Sequence, residues 1–504
     1  MSGQRWSKAE ARQIVKRVIV EGDLVLQTPA HLGNGDGDDV SDMPLLVDAV
    51  DGKSPLLTGA SIAGALRSYL RSREAAYGQA ATADASSVLL FGGLKEDPEG
   101  GQSPLIVEDA RGTVPSEPDP LDPKKKKRLG AEVRDGVRID GASRTAAENA
   151  LYDVQLWRAG TTFTVRGELL IRAGDDEAQL KQALKAALTG LIDGGITLGA
   201  RKRRGYGRVT VTQWRQREFD LLKPAALCAW IKDGNNALQP AQAMARLEKL
   251  SDAAFADLRE MFEIEAEFTL PGSLLIRSGG GRDDTGPDMV HLKSYRPESQ
   301  AEVAILSGTS LAGALRARAL KIANTIKPQQ AATKVIDSLF GTTAQASRVI
   351  VEEQEIMKAR VDLVQSRVSI DRFTGGARDT ALFNEQPALG GTETTLKMKV
   401  RLMQPQEHEV GLLLLLLKDL WTSDLPLGGE SSVGRGRLIG RWADLTWRNG
   451  QIRAWRIEEE NHDQPGKLIV TKKHSEPQGA PRSELDQFVE KLWKYQPEVQ
   501  HGAQ

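Results

Sequence analysis

At 504 residues the chain is too long for one hydrophobic core and suits two domains of roughly 200 residues each. Its 40% hydrophobic and 27% charged residues are ordinary soluble composition, and a net charge of −1 excludes a global field for polyanions. The single cysteine, Cys228, excludes an intramolecular disulfide and a cysteine-based zinc site, and it suits a reducing cytoplasm.

In chain order, Met1 to Gln13 is polar and is expected to be no signal peptide. The alternation in Arg17 to Leu26 predicts a strand. A Gly/Asp-rich loop, Leu32 to Asp42, leads toward Leu57 to Arg67, which reads LTGASIAGALR. The same eleven-mer returns at Leu306 to Arg316 as LSGTSLAGALR, identical at eight positions. Further landmarks repeat in the same order. Leu89-Leu-Phe-Gly92 answers Ser338-Leu-Phe-Gly341, and Ser103 to Asp109 answers Ser347 to Glu353. Val137-Arg-Ile-Asp140 answers Val368-Ser-Ile-Asp371, and the glycine loop Leu198 to Arg208 answers Leu427 to Arg437. The chain is therefore two copies of one domain.

The eleven-mers predict helices capped by Thr58/Ser307 or Ser61/Ser310. Residues 95–128 are rich in Pro, Gly and charge and predict a mobile insertion, in which Lys124 to Lys127 form a solvated run. Glu177 to Ile192 predicts a second helix that runs into the glycine loop and a strand over Gly207 to Val211. A linker follows, with a helical stretch predicted at Pro240 to Arg259. The second copy opens on a strand within Ile264 to Ile276 and a Gly/Asp loop, Ser278 to Asp288. It ends on a helix, Glu407 to Trp421, then a strand at Arg437 to Ile439. Leu412 to Leu417, six leucines stopped by Lys418 and Asp419, predict a buried helix and no membrane span. Strand-like pieces and a helix over Ser483 to Tyr495 complete the tail. The expected boundaries are 1–215 and 261–442 for the two domains, 216–260 for the linker and 443–504 for the extension. The fold class is α+β, two tandem ferredoxin-like βαββαβ domains with insertions.

Three elements carry a resemblance to the RAMP superfamily of CRISPR effector complexes. They are the G-[AT]-S-[IL]-x-G-x-x-R helix start, the glycine loops Gly199 to Gly207 and Gly428 to Gly436, and the acidic stretch Asp42-Met-Pro-Leu-Leu-Val-Asp48. The chain is most similar to type III backbone subunits, and its tandem form resembles the fused subunits of type III-D variants. It departs from the family at Ala63 and Ala312, where a lysine is common, and at Asp288-Met-Val-His-Leu-Lys, which lacks the proline and second aspartate.

The resemblance implies a subunit that binds guide RNA and cuts complementary target RNA once per domain. Its implied partners are the guide, the target, other RAMP subunits and a large polymerase/cyclase-type subunit. Asp42 and Asp288 would orient the 2′-OH in line with the phosphorus or bind a divalent metal such as Mg²⁺. Asp36, Asp38 and Asp39, or Asp283 and Asp284, could share that role, whereas solvated turns are the plain alternative. His291 is a possible acid/base and more plainly a surface residue.

Helix-start N–H groups and Ser61 or Ser310 offer donors to phosphate, with Gly59 and Gly308 permitting close approach. Arg67 and Arg316 point along that groove or into a core salt bridge. In the first glycine loop Arg201, Lys202, Arg203, Arg204 and Arg208 suit phosphate, and Tyr206 suits base stacking. The second loop offers backbone and serine donors with Arg435 and Arg437. A tight helix-to-strand turn is the alternative for both. Ile139-Asp140 and Ile370-Asp371, with Arg372 beside the latter, fall where the family starts a thumb hairpin that displaces a base. Two other readings are open: a structural backbone with inert carboxylates, and a guide-processing endoribonuclease, which the absence of histidine in 199–208 and 428–437 disfavours.

Overall fold

The computed structural model describes residues 13–33, 43–79, 81–82, 84–93, 101–119, 122–128, 130–140, 145–233, 245–247, 255–278, 286–459, 468–472 and 481–496. They form two compact units. The first comprises Met1–Glu132, Gln155–Lys202 and Gly207–Arg259, the second Val133–Val154, Arg203–Tyr206 and Glu260–Gln504. The second unit thus takes in a hairpin and four loop residues that belong to the first copy in sequence.

The first copy runs β1 (Ile14–Leu26), β2 (Leu56–Leu57), α1 (Gly59–Ala75), α2 (Ser86–Phe91), β3 (Leu105–Val107) and β4 (Ala110–Thr113). Two hairpins follow, β5 (Ser116–Asp119) with β6 (Asp122–Arg128) and β7 (Glu132–Ile139) with β8 (Ala146–Leu156). Then come β9 (Thr162–Arg172), α3 (Glu177–Ile192), β10 (Val209–Asp220), α4 (Pro224–Asp233) and β11 (Ala245–Leu247). The sheet order is β11-β10-β1-β9-β4-β2, with β3 also on β9. Alternation along β1 sends Val18, Val20, Leu24 and Leu26 into one core with Ile62, Leu66 and Leu70 of α1 and Leu180, Leu184 and Leu191 of α3. Ile19 packs on the other side with Phe219, Leu221, Ala229 and Trp230.

The second copy runs β12 (Met261–Thr269), β13 (Ser273–Leu274), β14 (Arg277–Ser278), β15 (Met289–His291), β16 (Lys293–Arg296) and β17 (Ala301–Leu306). After α5 (Gly308–Ile326) and α6 (Gln329–Phe340) come β18 (Val349–Val351) and β19 (Gln354–Met357). The hairpin β20 (Gln365–Ile370) and β21 (Ala377–Gln386) leads to β22 (Ala388–Leu389), β23 (Thr395–Met403) and α7 (Glu407–Trp421). The chain closes with β24 (Ile439–Arg448), β25 (Ile452–Glu459), β26 (Leu468–Lys472) and α8 (Pro481–Lys494). Its main sheet is ordered β16-β17-β19-β23-β12-β24-β25-β26, with β18 also on β23. The first copy's β10, β1, β9 and β3 therefore have counterparts in the second copy's β24, β12, β23 and β18.

Helices α3 and α7 begin and end where their sequence periodicity predicts. Leu412, Leu413, Leu416 and Leu417 enter the core, and α8 covers α7 with Leu485, Phe488 and Leu492. A Cβ at Gly411 would overlap the Phe488 carbonyl, so the glycine lets α8 lie against α7.

Two expectations are corrected. Within 95–128, the described residues form β3 to β6, because Leu105 and Val107 pair with Leu169 and Gly167 of β9 despite the loop-like composition around them. The linker helix lies at Pro224–Asp233, where proline stands in the first turn, and the described part of Pro240 to Arg259 contains β11 and no helix.

Candidate nucleic-acid interface

The repeated helix start is built the same way twice. Thr58 accepts from the Ser61 amide at 3.2 Å, and Ser307 accepts from the Ser310 amide at 3.2 Å. The two flanking hydroxyl pairs lie at 2.8 and 2.9 Å. The Gly59 amide, expected to face a phosphate, donates instead to the Asp109 carboxylate at 2.7 Å. A Cβ at Gly59 would overlap the Val107 carbonyl, and one at Gly308 would overlap the Arg204 carbonyl. These glycines thus admit the protein's own backbone. Ser61 remains exposed and Ser310 half-buried.

Arg67 and Arg316 also share one role. Arg67 donates to the Gly92 carbonyl at 3.0 Å, and Arg316 donates to the Gly341 carbonyl and Asp337 at 2.7 Å each. Gly92 and Gly341 terminate α2 and α6 with φ of 80° and 78°. Each arginine therefore caps the carbonyl end of the next helix, where a cation is favoured. A core salt bridge, the second reading open from sequence, is not formed by either: Arg67 meets a carbonyl, and the Arg316–Asp337 pair lies at the surface.

The glycine loops share a backbone trace. Gly199, Gly205 and Gly207 have φ of 83°, 89° and 70°, and Gly428, Gly434 and Gly436 have 75°, 90° and 75°. Arg201 and Glu430, at matching positions, are both left-handed with φ of 55° and 59°. Leu198 bonds to the Gly207 carbonyl as Leu427 does to that of Gly436, at 2.8 and 2.9 Å.

Their surroundings differ. Inside the second unit, Arg203 donates to the Ser347 carbonyl, and Arg204 approaches the Phe340 carbonyl at 3.5 Å. Burial and the neighbouring Arg316 hold Arg204 below its ordinary pKa. Tyr206 is only 4% exposed, with the Arg134 guanidinium 5.3 Å from its ring centre. A ring so enclosed offers no face to a base, which corrects the stacking expectation. Arg134 also pairs with Glu353, a fully buried carboxylate that accepts from Arg296 at 2.6 Å. These two arginines hold Glu353 below the usual carboxylate range although burial opposes it. The repeat marked Glu353 as the counterpart of Asp109 but gave it no role, and nothing local marked Arg134.

Lys202, Arg372 and Arg437 are exposed, and Arg201 and Arg208 are half-buried. Arg435 is 2% exposed and bonded to Glu385, Glu430, Gln365 and Ser273, so it faces protein.

Hairpins β7–β8 and β20–β21 carry the thumb positions. Ile139 and Ile370 are exposed, as are Val137, Leu151, Val368 and Leu382. Asp371 builds the turn of the second hairpin, and Asp140 directly follows the first strand of the other. The Asp140 amide bonds to the Thr145 carbonyl, and Asp371 accepts from the Phe373 and Thr374 amides at 2.9 Å each. Those bonds lower the Asp371 pKa and leave Phe373 at the tip 99% exposed.

Asp42, with Asp36, Asp38, Asp39, Asp283 and Asp284, lies outside the described residues. Its neighbour Met43 places sulfur 3.6 Å from Arg201 of the first glycine loop. Asp288 is exposed, and its carboxylate accepts from the Asn384 amide of β21 at 2.7 Å. His291 is 1% exposed, accepts from the Ile276 amide at 3.2 Å and reaches the Ile305 carbonyl at 3.0 Å. Burial lowers its pKa to about 4, so it is a neutral strand tie and no surface acid/base. His31 is also buried, and its backbone bridges to Ala200 of the first glycine loop, a neighbour that sequence distance concealed.

The family model of the RAMP superfamily matches residues 23–210 and 274–439, one segment for each copy of the repeat. The chain belongs to the RAMP superfamily. RAMP proteins are generally CRISPR-associated RNA-binding proteins that work in complexes with RNA and other subunits. No curated protein matches the chain. Each RAMP segment spans a helix start, a hairpin and a glycine loop. Among the described residues no helix is long and apolar enough to cross a membrane.

Proposed function

We propose that the chain is a tandem backbone subunit of a type III, III-D-like CRISPR effector in the cytoplasm. It binds guide RNA along both RAMP domains and cleaves complementary target RNA at one site per domain. The counterpart strand orders β10-β1-β9-β3 and β24-β12-β23-β18 support a ferredoxin-like core in each copy. The observation that carries the reading is Asp288, an exposed carboxylate tied by the Asn384 amide to the root of a thumb whose apolar tip is bare.

A base displaced by Phe373 and Ile370 would leave the target backbone splayed at that step, and a splayed nucleotide can set its 2′-OH in line with the phosphorus. The 2′-oxygen then attacks phosphorus and gives its proton to water, the P–O5′ bond breaks, and a 2′,3′-cyclic phosphate forms while the leaving 5′-oxygen takes a proton from water. Asp288 is a weak base for a hydroxyl, so its role is to hold the 2′-OH. Among the described residues no set of three acidic, histidine or cysteine side chains gathers to cage a cation. One carboxylate still suits Mg²⁺, which keeps water and takes phosphate oxygens, and such an ion would stabilise charge on the phosphate.

Guide contact falls to the exposed Lys202, Arg372, Arg437 and Ser61 and the half-buried Arg201, Arg208 and Ser310. Within the second unit Arg203 and Gly205 lie against Ser347 and Glu353, whereas a Cβ at Gly434 in the second loop would meet nothing within 4 Å. That open face suits another RAMP subunit. Partners include the large polymerase/cyclase-type subunit.

In a reconstituted complex with labelled target, Asp42→Ala should remove one fragment boundary and Asp288→Ala another. The double variant should lose both while binding target. A 2′-deoxy nucleotide 5′ of either scissile phosphate should mimic the matching variant, and chelation should suppress both cuts. Wild-type cutting by the double variant would leave a structural backbone with inert carboxylates.

A further inference from the structure

Glu385 lies one residue beyond the amide that holds Asp288, and it is wholly buried. Its Oε2 accepts from Arg435 at 2.8 Å and lies 3.3 Å from the Arg367 guanidinium. Arg435 in turn donates to Glu430 at 2.7 Å and Gln365 at 3.0 Å, and Arg367 donates to Glu430 at 3.0 Å. Two thumb strands, β20 and β21, are thereby bolted to the second glycine loop through four charges. Burial and the Glu430 carboxylate push Glu385 up from the carboxylate range, consistent with an Oε1 that has no partner.

This cluster exists in one copy only. The bridges Ala30–Trp157 and Leu274–Ala388 align Trp157 with Ala388, and hence Val154 with Glu385. The matching loop residues are Arg201 for Glu430 and Tyr206 for Arg435. Backbone pins the stretch after each aspartate alike: bridge Gly33–Leu45 and the Leu46 amide on the Leu32 carbonyl in the first copy answer the pair Arg277–His291 and the Leu292 amide on the Ile276 carbonyl in the second. In the second copy Asp288 precedes β15, which meets β21 through only two residue pairs, Met289–Glu385 and Val290–Gln386. Those pairs and the Asn384 amide tie Asp288 to the thumb strand β21, so its place against the thumb depends on where β21 is held.

We propose that the Glu385–Arg435–Glu430–Arg367 cluster is a positioning site that fixes Asp288 against the scissile phosphate in the second domain alone. The proposal rests on the reading that Asp288 serves target cleavage. Glu385 touches no substrate and acts through the Asn384 amide. The first domain keeps its own geometry without the cluster.

The test uses the reconstituted complex under single turnover, with both fragment boundaries resolved on one labelled target. Glu385→Leu should slow the second-domain cut by about 10²-fold, the scale of a misplacement near 1 Å. First-domain cutting and target affinity should stay at wild-type values. Glu385→Gln, which keeps an acceptor for Arg435, should restore the rate to within a few-fold. Wild-type second-domain cutting by Glu385→Leu, with Asp288→Ala inactive there, overturns the positioning role. Wild-type cutting by Asp288→Ala overturns the underlying reading, and the proposal falls with it. If Glu385→Leu does not assemble, Arg367→Met, which alters a half-exposed member, should still slow the second cut selectively. Equal loss at both boundaries would mark a merely structural cluster and overturn the proposal.

Discussion

Gly205 and Gly434 occupy the same position in the two glycine loops, with φ of 89° and 90°. Alanine at either must adopt a left-handed backbone, at a cost of roughly 1–2 kcal/mol. What differs is the space. A Cβ on Gly205 would overlap the Glu353 amide nitrogen and sit 3.0 Å from the Glu353 Cβ, whereas one on Gly434 would meet nothing within 4 Å. Backbone cannot swing aside as a side chain does, so Gly205→Ala adds an overpacking term of roughly 1–3 kcal/mol. The expected order is therefore Gly434→Ala mildly destabilised and Gly205→Ala worse by that increment. Urea denaturation followed by the fluorescence of the nine tryptophans gives the midpoints. Hydrogen exchange at Val351 to Glu353 should rise selectively in Gly205→Ala. Equal midpoints and unchanged exchange would refute the seating of Arg203–Tyr206 on this segment.

Burial lowers the His291 pKa to about 4, against about 6.5 in an unfolded chain. The unfolded state binds the proton first, so stability is full above about pH 6.5 and drops by about 3 kcal/mol toward pH 4. His291→Gln should flatten that part of a stability–pH curve, and an unchanged curve would contradict the burial argument. Arg67→Met and Arg316→Met each strip hydrogen bonds from a helix end and should lower stability by roughly 1–3 kcal/mol. Neither should change the salt dependence of guide binding, whereas loss of a phosphate contact would remove about 0.7 from the log–log slope.

Much was legible from sequence because it is local or duplicated. The limits of α3 and α7 follow from helical periodicity and capping side chains within one turn. The eleven-mer placed two helix starts, and the glycines of Leu198 to Arg208 and Leu427 to Arg437 placed two turns that require left-handed backbone. The same loop on the same backbone, twice, is information that no single motif carries. Composition misled at β3 to β6, where pairing to β9 outweighs Pro- and Gly-rich surroundings. It misled again in the linker, where the helix begins at Pro224.

The chain alone determined that there are two copies, in what order their elements run, and which turns need glycine, because these depend on residues near in sequence. Only tertiary structure decided where the charges go. Arg203 and Arg204 face carbonyls, Arg67 and Arg316 cap helices, and Glu385 and Glu353 are buried among arginines. A basic run reads alike whether it meets solvent, phosphate or a helix end. The choice depends on which partner, 136 or more residues away for Arg203 and Arg204, satisfies the guanidinium once water is excluded.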